Sequence, residues 1–64
     1  MKADRKKLEL SMAHACLSTA ALAEVAKMPR PTINNVITGR NVRPDTLGRI
    51  AEALGVDVTE ILEG

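Results

Sequence analysis

Sixty-four residues allow one domain, expected over residues 1–64, with a small core and little room for a catalytic cleft or a second lobe. The 45% apolar and 27% charged residues fit an ordinary globular protein, and the absence of any aromatic residue excludes a platform on which unpaired bases stack. The net charge of +1 hides an uneven distribution: residues 1–26 carry +1, residues 27–49 carry +4 (Lys27, Arg30, Arg40, Arg43 and Arg49 against Asp45), and residues 51–64 carry −4 (Glu52, Asp57, Glu60 and Glu63).

Clustered positive charge in the middle of a chain is what phosphate binding requires. The lone Cys16 forms no internal disulfide, and its simplest expected use is as a small packing residue. No apolar run reaches the roughly 20 residues of a membrane span, and no hydrophobic signal core follows the charged start of the chain, so the expected location is cytoplasmic.

In chain order, the pattern predicts five short helices and no strand. The first runs from about Asp4 to Ala15, with Leu8, Met12 and Ala15 at helical spacing; Lys2, Arg5, Lys6 and Lys7 are expected to be solvated, with contact to a phosphate backbone as the alternative. Ser18 is a good N-cap for the second helix, which is predicted to turn Leu22, Val25 and Ala26 to the core; Ala21 stands where a capping-box acid would be. The third begins near Arg30 or Pro31, buries Ile33, Val36 and Ile37, and ends at Gly39, which tolerates a left-handed backbone. Pro44 opens the fourth, where Leu47, Ile50, Ala51 and Leu54 make the clearest amphipathic pattern in the chain, and Gly55 stops it. Asp57 and Glu60 have capping-box spacing before a last short helix holding Val58, Ile61 and Leu62.

The stretch from Thr19 to Thr38 carries the functional signal. Two short helices that cross steeply need a very small side chain at the crossing and an apolar anchor in the turn; Ala23 and Met28 supply them. The second helix of the pair must bury Ile33 and Val36 and expose what lies between them, namely Arg30, Thr32, Asn34 and Asn35, all able to hydrogen-bond. Arginine suits guanine and asparagine suits adenine in the major groove, each through paired hydrogen bonds. His14 has no second ligand or base to make a metal or catalytic site, and no paired carboxylates, activated nucleophile or phosphate loop is visible, so no enzyme, metal, cofactor or small-molecule ligand is expected.

The segments "LSTAALAEVAKMPRPTINNVITGR" and "RPDTLGRIAEALGVDVTEIL" resemble the phage-repressor (Cro/lambda-repressor-like, or XRE) helix-turn-helix family over Leu17 to Leu62, about three quarters of the chain. The resemblance implies an all-α, compact five-helix domain with its recognition helix at about Pro31–Thr38. It places Arg30, Pro31, Asn34 and Asn35 against base edges. Thr19, Thr32, Thr38, Arg40, Asn41 and Arg43 then face the DNA backbone. It also implies a transcription regulator, repressor-like, acting on double-stranded DNA as a homodimer on a two-fold-related operator. The alternatives are the antitoxin of a toxin–antitoxin pair, for which no toxin-wrapping tail is evident, and a degenerate helix-turn-helix that docks on protein.

Three departures from the family stand out. Lys27 holds the turn position where relatives usually have Gly, so a left-handed backbone is expected at a residue that resists it. Pro29 replaces the usual hydroxyl cap. Met12 and Ile37 stand where relatives often pair Arg with Glu, and are expected to touch as an apolar pair.

Overall fold

The computed structural model describes residues 1–63; Gly64, the last residue of the expected domain, lies outside the described residues. Among the described residues there are four α-helices: α1 (Arg5–His14), α2 (Thr19–Ala26), α3 (Arg30–Ile37) and α4 (Pro44–Leu54). The predicted fifth helix is instead a single 3-10 turn, Val58–Glu60. The capping signal was sound: the Asp57 carboxylate accepts from Thr59 N (2.9 Å) and Glu60 Oε2 accepts from Asp57 N (3.1 Å). The chain then closes in three-residue steps, Glu60 N to Asp57 O and Ile61 N to Val58 O. It does not propagate, because the Ile61 carbonyl accepts from Asp4 N (2.8 Å) and Leu62 pairs with Ala3 in an isolated antiparallel bridge. The Thr59 backbone N–H, and then its hydroxyl, hold the exposed Asp57 carboxyl below the usual carboxylate range.

Helix starts follow the expected chemistry. Asp4 caps α1 by accepting from Lys7 N (3.0 Å), and Ser18 caps α2 by accepting from Ala21 N (3.2 Å). Pro29 and Arg43 precede α3 and α4 without a side-chain cap. The ends share one device. In α1, α2, α3 and α4 a residue one or two positions past the helix end has a positive φ, and the next residue's N–H reaches back five positions: Leu17 to Met12, Met28 to Ala23, Arg40 to Asn35, Val56 to Ala51. Gly39 and Gly55 adopt that backbone freely; Cys16 (φ 59°) and Lys27 (φ 58°) do so against the steric preference of a residue with a Cβ. Three of the reaching residues, Leu17, Met28 and Val56, are apolar and pack partly buried against the core, so each turn ends on an anchor.

The core joins all four helices and both chain ends: Ala3, Leu8, Leu22, Ala23, Ile33, Val36, Leu47, Ile50, Ala51, Leu54 and Ile61. α2 packs chiefly on α3 and α4, while α1 meets α3 and the 3-10 turn. Two packing expectations need correction. Val25 is 52% exposed, because Ala23 and Ala26 flank Leu22 on the inward face and turn Val25 to its edge. Cys16 is exposed at the end of α1 and packs in no core. Ile37 and Met12 are half-buried against the core rather than within it.

Candidate nucleic-acid interface

The α2–turn–α3 unit is built as the sequence pattern requires. Ala23 is nearly buried where the helices approach, and a side chain this small lets the backbones come close. The turn consists of Lys27, Met28 and Pro29; Lys27 N donates to Glu24 O (3.2 Å) and Met28 N to Ala23 O (3.0 Å). Pro29, with ψ 147°, then redirects the chain into α3. Ile33 and Val36 are fully buried, which fixes the rotation of α3 about its axis and decides which residues face outward.

Those outward residues are Arg30 and Pro31 in the first turn and Asn34 and Asn35 in the second, all exposed, with Thr32 half-buried beside them. α3 starts at Arg30, the earlier of the two expected positions, and Thr38 serves as its C-cap. Thr38 Oγ1 lies 2.8 Å from Asn34 O and 3.2 Å from Asn35 O, so its one proton is spent on the helix end. That leaves the two Asn side-chain amides free toward solvent and gives Thr38 no spare donor for a phosphate.

Of the remaining expected backbone contacts, Thr19 is the first residue of α2 and half-buried, at the helix end where unpaired N–H groups favour anions. Arg40, Asn41 and Arg43 are exposed in the segment between α3 and α4. This segment is tethered in a way the sequence did not announce. Val42 N donates to Met1 O (2.7 Å), the Met1 ammonium donates to Val42 O (2.8 Å), and the same ammonium donates to Asn41 Oδ1. Asn41 therefore has its acceptor occupied, and its NH₂ donors are the part left for an anionic partner. Arg43 Nε stands 3.4 Å from Asp45 Oδ1, with both side chains highly exposed (84% and 66%). An ion pair this solvated contributes little, so the guanidinium is released at small cost.

The arrangement brings Arg30, Pro31, Asn34 and Asn35 onto one helix face and places Arg40, Asn41 and Arg43 on the segment leading out of it. Among the described residues, no group of three or more His, Cys, Asp or Glu is placed to hold a metal ion, and no helix is long and apolar enough to cross a membrane. A profile described as helix-turn-helix matches residues 1–61. No curated protein matches the chain. Among solved structures, a mutant of hydroxyethylphosphonate dioxygenase superposes with a TM-score of 0.85 at 23% identity; the match covers all of this chain but 14% of that one. At that identity the likeness concerns the fold alone, and a fold shared with a segment of a much longer enzyme does not carry the enzyme's chemistry with it. The profile match, spanning both halves of the α2–α3 unit and the helices that support it, places the chain in the phage-repressor-like (Cro/lambda-repressor, XRE) helix-turn-helix family of DNA-binding regulators.

Proposed function

We propose that this chain is a sequence-specific, double-stranded DNA-binding regulator of transcription, repressor-like, that lays α3 in the major groove. The observation that carries the reading is the division of α3 into two faces. Ile33 and Val36 lock one face into the core, and the other offers Arg30, Pro31, Asn34 and Asn35 on a rigid helix. In the proposed complex Arg30 reads guanine and Asn34 or Asn35 reads adenine, with Pro31 contributing an apolar contact. Thr19, Thr32, Arg40, Asn41 and Arg43 hold the phosphates on either side and fix the register of the helix. The working form is a homodimer in the cytoplasm, with its two α3 helices in successive major grooves about 34 Å apart. A second reading, a helix-turn-helix used to dock on protein, draws on the occurrence of this fold inside a long enzyme chain.

Selection of bound sequences from a random duplex pool, followed by titration of the winner at several salt concentrations, separates the two. A two-fold symmetric consensus is expected, with log K falling linearly with log salt as phosphate counterions are released. A pool that stays random through the selection, with no salt-dependent binding, overturns the DNA reading and leaves protein docking in its place.

A further inference from the structure

We infer that Arg5, on α1 and outside the α2–α3 unit, is a further contact to the DNA backbone, positioned by Gly39 at the end of α3. The inference rests on the DNA-binding reading above and extends it to a helix that the motif does not include. A Cβ built on Gly39 would lie 3.7 Å from Arg5 Cγ and 3.8 Å from Arg5 Cδ, so the aliphatic stem of Arg5 lies across the open backbone of Gly39. Gly39 follows the C-cap of α3 directly and precedes Arg40, which brings the α1 side chain to the point where the recognition helix runs out into the phosphate-facing segment. A helix in a groove only about 12 Å wide has the sugar–phosphate wall beside each of its ends. A long cationic side chain lying along the helix end extends toward that wall, with its stem on protein and its head in solvent.

Among the described residues the Arg5 charge is not spent on an ion pair. The ion pair found among them is Arg43 with Asp45, and no carboxylate is paired with Arg5. Arg5 also opens a first turn of three consecutive cations, Arg5, Lys6 and Lys7, that contains no acidic residue. Cations at that end of a helix disfavour folding, so local stability does not account for them. The three are not equivalent. Lys7 Nζ reaches back to Leu62 O at 3.4 Å, toward the C-terminal segment, whereas Arg5 leans on Gly39. Proximity to α3 therefore singles out Arg5.

The test uses Arg5→Met, which keeps a stem over Gly39 and removes the charge, beside Arg5→Lys and Arg40→Ala. Each is titrated with the selected duplex and with random duplex between about 50 and 200 mM salt. Arg5→Met is expected to bind both duplexes more weakly and to make the slope of log K against log salt shallower by about 0.9, the value of one phosphate contact. Arg5→Lys should keep the slope, and the thermal midpoint of Arg5→Met should be no lower than that of the parent. If Arg40→Ala loses its contact while Arg5→Met keeps the parent slope, Arg5 merely covers Gly39 and the inference is wrong, with the DNA reading intact. If the parent binds duplex without any salt dependence, or not at all, the DNA reading fails and Arg5 has no phosphate to meet. Should Arg5→Met lose its fold, Arg5→Gln repeats the measurement.

Discussion

Lys27 shows how much a single backbone angle can hold against local preference. Its φ of 58° and ψ of 48° place a side chain with a Cβ in the left-handed region, and the turn needs that conformation so that Met28 can reach back to Ala23 and fold its side chain onto the core. Lys27→Gly should therefore stabilise the fold by about 1 kcal/mol, read as a higher urea midpoint at unchanged slope. A lower midpoint would mean that the Lys27 side chain contributes more than its backbone costs. The turn was legible because the chain around it matched a pattern in which this position is left-handed. The same backbone at Cys16 was not, since nothing in the sequence near Cys16 marks a helix end (no Gly, no Pro) and the residue looked apolar enough to pack.

Residues of like charge are expected to differ in what they read. Arg30 stands exposed in the first turn of α3, while Arg40 lies beyond the helix, past the Gly39 turn. Arg30→Ala should cost about 1–3 kcal/mol on the selected sequence and relax preference at one base pair. Arg40→Ala should weaken selected and random duplex alike and lower the salt slope by about one unit. Equal losses on all sequences for Arg30→Ala would move it from base to phosphate. Periodicity was enough to put Arg30, Asn34 and Asn35 on the exposed side of α3, because two buried residues fix the rotation of a helix. It was silent on Thr38 and Asn41, whose availability depends on hydrogen bonds made once the chain has folded.

At the scale of the element, the strongest pattern was the most reliable guide. α4 buries Leu47, Ile50, Ala51 and Leu54, the four residues its sequence spacing assigned to the core, and ends at Gly55 as expected. α2 is only eight residues long, and so short a helix leaves its apolar stripe ambiguous; Val25 fell on the wrong side of it. The last segment misled because a cap signals where a turn starts and says nothing of how far it runs. α1 and α3 meet, and Met12 and Ile37 both lie half-buried against the core, which keeps their expected contact open to test. Ile37→Glu and Met12→Arg should each destabilise, by about 1–3 kcal/mol, since each places a charged group at a partly apolar site. The double variant should recover part of the loss, and the coupling is the departure from additivity in the cycle. Additive losses would show that the two side chains act separately.

Across the whole molecule the two ends of the chain are structural members. Ala3 is 1% exposed and Ile61 is fully buried, although neither belongs to an α-helix. Asp4 N donates to Ile61 O, Glu63 N donates to Lys2 O, and Met1 is paired in turn with Val42, so the C-terminal segment, the first residues and the segment following α3 form one chain of contacts. No periodic pattern could have announced this, since the link joins single residues from opposite ends of the sequence. Ile61→Ala removes a fully buried side chain, and such truncations cost about 2–5 kcal/mol. A domain of this size is expected to have a stability of only about 3–10 kcal/mol, at roughly 0.05–0.15 kcal/mol per residue. The thermal midpoint of Ile61→Ala should accordingly fall by roughly 8–40 °C, at about 4–8 °C for each kcal/mol. Glu63→Ala, an exposed change in the same segment, should leave the folding free energy within about 0.5 kcal/mol of the parent's. Ile61→Ala should also exchange the amide protons of Asp4 and Val42 faster than those of Leu22 or Ile33 under conditions where most molecules remain folded, because the joined chain ends open before the core of α2 and α3. Uniform acceleration of all four amides would mean that the joined chain ends and the α2–α3 unit unfold together.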